Sequence, residues 1–108
     1  MTLVVLAGDA AGTEYELSQA RTILGRGPGV DIAIADSTMS RQHAAFEIAM
    51  DGVHARDLGS TNGIRVNGES VDATSLAHGD RLELGSQQLR FLLEEREREP
   101  RTYVVDVD

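Results

Sequence analysis

The chain contains no cysteine, and that absence excludes a disulfide framework, a thiolate metal site and a thiol nucleophile. Tryptophan is absent and other aromatics are few, so aliphatic side chains have to fill the core. Lysine is missing too: all ten basic residues are arginines, set against eighteen acids for a formal net charge of −8. A duplex-DNA binder needs a surplus of positive charge facing the phosphates, so nucleic acid is not an expected partner. In that negative field, an arginine cluster that holds an anion has to be a local arrangement. The apolar run Leu3 to Ala7 has no basic residues ahead of it and stops at Gly8-Asp9, too short for a signal peptide or a membrane span. The expectation is a cytoplasmic protein with no membrane partner.

What is present suits a soluble domain. The length of 108 residues, with 41% apolar and 26% charged residues, allows one hydrophobic core and leaves little for a second. Short apolar stretches alternate with turn signals, and no segment before the tail keeps a helical period over three turns. The spacing predicts an all-β chain, with strands at Thr2 to Leu6, Glu14 to Leu17, Thr22 to Leu24, Ile32 to Ile34 and His43 to Ile48. Further strands are predicted at Val53 to Asp57, Ile64 to Val66, Arg81 to Leu84 and Gln88 to Leu93. Gly-Asp, Asn-Gly and Asp-Gly pairs separate them, and Asp51-Gly52 reads as a two-residue hairpin turn with positive φ. So many short strands suggest a β-sandwich. After Leu93 the composition turns to Glu94-Glu95-Arg96-Glu97-Arg98-Glu99-Pro100, a solvated tail or linker. Residues 102–108 then read equally as an edge strand or as the start of a further domain.

Three segments carry chemistry: Gly25-Arg26, Ser40-Arg41-Gln42-His43, and Asp57-Leu58-Gly59-Ser60-Thr61-Asn62-Gly63. Each adjoins a predicted strand, so all three can meet at one end of a sandwich. Arg26 and Arg41 offer permanent charge and forked donors that match phosphate oxygens. Ser40 and Thr61 offer hydroxyls, and Asn62 can both donate to and accept from an extended backbone. With no cysteine and no paired histidines, His54 and His78 read as surface residues, not as zinc ligands. Ser40, His43 and Asp57 lack a nucleophile elbow, and Gly25-Arg26-Gly27 lacks the pattern of a nucleotide loop, so no catalysis and no cofactor are expected.

The order Gly25-Arg26, Ser40-x-x-His43, Ser60-Thr61-Asn62-Gly63, Asn67-Gly68 and Gly79-Asp80 resembles the forkhead-associated domain family from about Thr2 to Leu93. Each piece is common by chance, but the ordered set is specific. The resemblance implies a two-sheet β-sandwich of about ten or eleven short strands over residues 1–93, with residues 94–108 a tail or linker. It also implies a non-enzymatic, bacterial-type signalling module, a monomer whose partner is a phosphothreonine protein made by a Ser/Thr kinase. In that family pattern Arg26, Ser40 and Arg41 would contact phosphate, Thr61 would shape the pocket and Asn62 would hold the peptide main chain. His43 would brace the Ser40 loop, while Gly25 and Gly63 would be geometric. Thr38 and Arg65 are where the family reads residues that follow the phosphothreonine. Two other readings stay open: a phosphorylation-independent interaction domain using another face, and an autoregulatory module whose pocket takes its own chain, with Thr102 as the candidate mark.

Overall fold

The structure is a computed structural model and describes residues 1–8 and 10–93. Among these residues eleven strands form two sheets. The first has the order β2 (Glu14–Glu16), β1 (Thr2–Val5), β11 (Gln87–Leu92), β10 (Arg81–Leu84), β7 (Ile64–Val66) and β8 (Glu69–Val71). The second has the order β4 (Ile32–Ala33), β3 (Arg21–Gly25), β5 (Ala44–Ala49), β6 (Gly52–Asp57) and β9 (Ala73–Leu76). Every pairing is antiparallel except that of β3 with β4.

Period-two alternation decides which residues face inward. On β10 and β11 the buried residues are Leu82, Leu84, Leu89 and Phe91, while Arg81, Glu83, Gln88 and Arg90 alternate with them. On β3 and β5 the inward pairs are Leu24 with Ala44 and Thr22 with Phe46. Phe46 and Phe91 are each 1% exposed and anchor a core otherwise built from Leu, Ile, Val and Ala with Met39. Burying one such side chain favours the fold by about 1.5–3 kcal/mol.

Two local expectations need correction. Strands β8 and β9 were not foreseen, because Glu-Ser-Val and Ala-Thr-Ser-Leu carry little apolar signal; both are edge strands, which need only one buried side or none. The β5–β6 turn is displaced by one residue from Asp51-Gly52. Ala49 pairs with Gly52, so Met50 and Asp51 form the tip, and only Gly52 has positive φ there, at 133°. The mirror-image turn sits instead at Asn67 (φ 52°) and Gly68 (φ 89°), joining β7 to β8 with Val66 opposite Glu69. The tail, including Thr102, lies outside the described residues.

Candidate functional site

Strand directions bring residues 26–31, 34–43, 58–63 and the β10–β11 turn at 85–86 to the same end of the sandwich. Strand β3 delivers Arg26 there. Its backbone N–H donates to the Ser40 carbonyl at 3.0 Å and its Nε donates to the Met39 carbonyl at 3.0 Å. That grip aims the guanidinium while Nη1 and Nη2 have no partner among the described residues. The close crossing explains the preceding glycine, since a Cβ on Gly25 would overlap the Arg41 carbonyl oxygen.

Ser40 and His43 work as a unit. His43 is fully buried; its Nδ1 accepts from the Ser40 backbone N–H at 3.1 Å and its Nε2 lies 2.8 Å from the Gly63 carbonyl. A backbone N–H on Nδ1 and a carbonyl on Nε2 fix the proton on Nε2. The imidazole therefore joins the 34–43 loop to the 58–63 loop, and neither nitrogen is available to activate the Ser40 hydroxyl. Ser40 Oγ accepts from the Thr61 N–H at 3.0 Å, which leaves its own proton for another acceptor.

The 58–63 loop is folded on a serine. Ser60 Oγ donates to the Asp57 carboxylate and accepts from the Gly63 N–H at 2.9 Å, with Gly63 at φ 74°. This presents Thr61 and Asn62 outward. Asn62 Nδ2 donates to the Thr38 carbonyl at 2.7 Å, and its Oδ1 has no partner among the described residues.

Arg26, Ser40, Arg41, Thr61 and Asn62 line one open pocket of about 400 Å³, together with Ser37, Thr38 and Met39. No carboxylate lines it, and neither Arg26 nor Arg41 takes part in an ion pair among the described residues. Elsewhere Arg21 and Arg56 share Glu47, and Arg65 meets Glu83 at 3.7 Å. Among the described residues the pocket thus gathers unpaired cationic and hydroxyl donors on an acidic protein, a chemistry suited to an anion. A second cleft of about 360 Å³, lined by Arg65, Gly85 and Ser86, shares Thr38 and Asn62 with it.

Behind the pocket lies a network that sequence reasoning missed. Asp36 Oδ1 accepts from Thr38 N (2.8 Å) and Thr38 Oγ1 (2.6 Å), and Oδ2 accepts from Ser86 Oγ (2.5 Å) and Gln87 Nε2 (2.6 Å). Hydrogen bonds from Ser86, then Thr38 and Gln87, hold its carboxyl well below the usual carboxylate range. The Asp-x-Thr turn was readable locally as a side chain capping its own backbone two residues on. Its partners near residue 86 carried no local signal. Among the described residues no group of three or more His, Asp or Glu side chains could hold a metal.

Comparison with known proteins agrees in extent with this architecture. A family model described as the cytoplasmic domain of an inner membrane component of T3SS matches residues 4–95. The chain is 44% identical over 90 residues to the glycogen accumulation regulator GarA of Mycobacterium tuberculosis, which covers 83% of this chain and 56% of that protein. It is 41% identical over 90 residues to the oxoglutarate dehydrogenase inhibitor of Corynebacterium glutamicum, covering 83% of this chain and 63% of the relative. The chain therefore spans little more than half the length of these curated relatives. A solved structure from work on phosphothreonine-dependent FHA domain interactions superimposes with a TM-score of 0.80 at 31% identity, covering 87% of this chain and 96% of that one. Eleven strands in two sheets, matched at this identity over nearly the whole of a solved relative, place the chain in the forkhead-associated domain family.

Proposed function

We propose that residues 1–93 form a non-catalytic module that binds phosphothreonine in an extended segment of a partner protein. The observation that supports it most is the pocket itself: two arginines that, among the described residues, have no carboxylate partner, beside hydroxyls and an asparagine whose carbonyl oxygen has no partner among them either. In this reading Arg26 and Arg41 meet the phosphate with charge-assisted hydrogen bonds, and Ser40 donates its hydroxyl to a further phosphate oxygen. Asn62 Oδ1 accepts from a peptide N–H and so sets the register. Thr61 closes the pocket wall. Preference for threonine over serine would come from a niche for one methyl group, a discrimination of about 1–3 kcal/mol.

The adjoining cleft, with Arg65 and Thr38, takes the residues that follow the phosphothreonine. Relatives named as a regulator of glycogen accumulation and as an inhibitor of oxoglutarate dehydrogenase support a regulatory partner, written to by a Ser/Thr kinase in bacterial-type signalling. The proposed setting is the cytoplasm, in keeping with a family model described as a cytoplasmic domain, and the proposed state is a monomer. Calorimetry with one peptide in phosphothreonine, phosphoserine and unphosphorylated forms tests the reading. Binding of the phosphothreonine form alone, or far ahead of the others, is the expected result; equal affinity for all three overturns it.

A further inference from the structure

We infer that Asp36 is a positioning residue for peptide binding: it ties the 34–43 loop to the β10–β11 turn, fixing the Thr38 carbonyl that holds the Asn62 side chain. The inference rests on the proposed phosphopeptide function and assigns a role to a residue outside the pocket lining.

The two carboxylate oxygens serve different parts of the fold. Oδ1 closes the local turn on Thr38, and Oδ2 reaches across to Ser86 and Gln87, residues 50 and 51 positions later on the other sheet. Ser86 N donates in return to Thr38 Oγ1 at 2.8 Å. The turn also approaches closely, because a Cβ on Gly85 would overlap Thr38 Oγ1 and stand 2.6 Å from its carbonyl oxygen. Thr38 is thereby held from both sides, and its carbonyl is the acceptor that fixes Asn62 Nδ2. A carboxamide with one end fixed cannot turn freely, so Oδ1 stays directed outward before any ligand arrives. Order that exists beforehand is order that binding need not create.

Replacing Asp36 by asparagine tests the idea, because an amide keeps one acceptor oxygen and sets N–H donors against donors where Ser86 and Gln87 converge. Affinity for a phosphothreonine peptide is expected to fall about tenfold in Asp36→Asn, the effect of freeing one or two ordered side chains. In the ligand-free protein the Asn62 side-chain amide protons should shift and exchange faster with solvent, a change that a remote loss of stability would not confine to Asn62. Ser86→Ala removes one donor from an exposed turn and should move both readouts the same way by less; it decides the matter alone if Asp36→Asn does not fold. Unchanged affinity, or weakened affinity with the Asn62 amide unmoved, overturns the inference. If wild type binds phosphorylated and unphosphorylated peptides alike, the functional proposal fails instead, and the Asn62 amide in free protein still decides whether Asp36 positions it.

Discussion

Asn62 and Asn67 sit at opposite ends of β7, and the same side chain meets opposite circumstances there. At Asn67 both polar ends are engaged within the chain: Nδ2 donates to Asp80 at 3.0 Å and Oδ1 accepts from the Arg81 N–H at 3.0 Å. At Asn62, among the described residues, Nδ2 alone is engaged, and Oδ1 is left beside two arginines that make no ion pair with any of them. One end of the sandwich has closed its polar groups on itself, and the other has fixed them in place with one valence open. Turn residues satisfied internally contribute to stability, whereas groups held but unsatisfied are what a ligand can use.

The contrast breaks most visibly through arginine. Arg26→Ala should lower phosphothreonine-peptide affinity by about tenfold to a hundredfold, the worth of a charge-assisted contact. Arg81 at the far end stands opposite Arg90, a like-charge pair, and is exposed. Arg81→Ala should leave affinity unchanged and stability within about 0.5 kcal/mol. Calorimetry and melting curves on both variants check this, and equal losses would erase the distinction between the ends.

Histidine gives the next comparison. His43→Ala removes a buried ring that satisfies the Ser40 N–H and the Gly63 carbonyl, so about 1–3 kcal/mol of stability should go, and affinity with it as the two loops part. His54 lies near the β5–β6 tip, where its ring meets Asp51 at 3.0 Å and holds that carboxyl below its ordinary range. His54→Ala should shift stability by no more than about 0.5 kcal/mol. A His43→Ala protein with the wild-type melting temperature would contradict the bracing role.

The asparagines themselves sharpen the comparison. Asn62→Ala should weaken peptide binding about tenfold with little change in melting temperature, since it gives up one surface hydrogen bond. Asn67→Ala should do the reverse, costing about 1 kcal/mol, because alanine tolerates φ 52° poorly and two hydrogen bonds are lost. If both variants lose affinity alike, Asn62 is a structural residue and not a ligand contact.

How much of this was legible in the sequence depends on the range of the interaction. Strands with alternating apolar residues, such as Arg81–Leu84, and turns with Asn-Gly, such as 67–68, announce themselves because their cause is local. The loop segments around Arg26, Ser40 and Asn62 were visible as residue types suited to an anion beside strand ends. Edge strands β8 and β9 were not, since little of their surface is buried and polarity masks the period. The Asp36 clamp was invisible for a different reason: its partners at 86 and 87 are near it only after both sheets are packed. Asp57 and Ser60 lie within the segment singled out, but their pairing shows only once the loop is folded.

The smallest effect separates the ligand's chemistry from the protein's. A phosphate monoester with second pKa near 6 loses one charge between about pH 7.5 and 5, so affinity for a phosphothreonine peptide should fall severalfold over that window and should also weaken with salt. The pocket scaffold has a different acid response. Asp36 has a folded-state pKa depressed below that of the unfolded chain, so its contribution to stability is fully present above the unfolded carboxylate pKa of about 4. That contribution is lost only as pH falls further, through the folded-state value. At pH 5 the clamp therefore still holds Thr38 and Asn62, and Asp36 should contribute no fall in melting temperature between pH 7.5 and 5. Calorimetric titrations at pH 7.5, 6 and 5, with a melting curve at each pH, distinguish the two sources. Affinity that falls while the melting temperature holds assigns the change to the phosphate. Affinity flat across the window would remove phosphate charge as the main determinant, and a parallel drop in both would place the loss in the protein end of the contact.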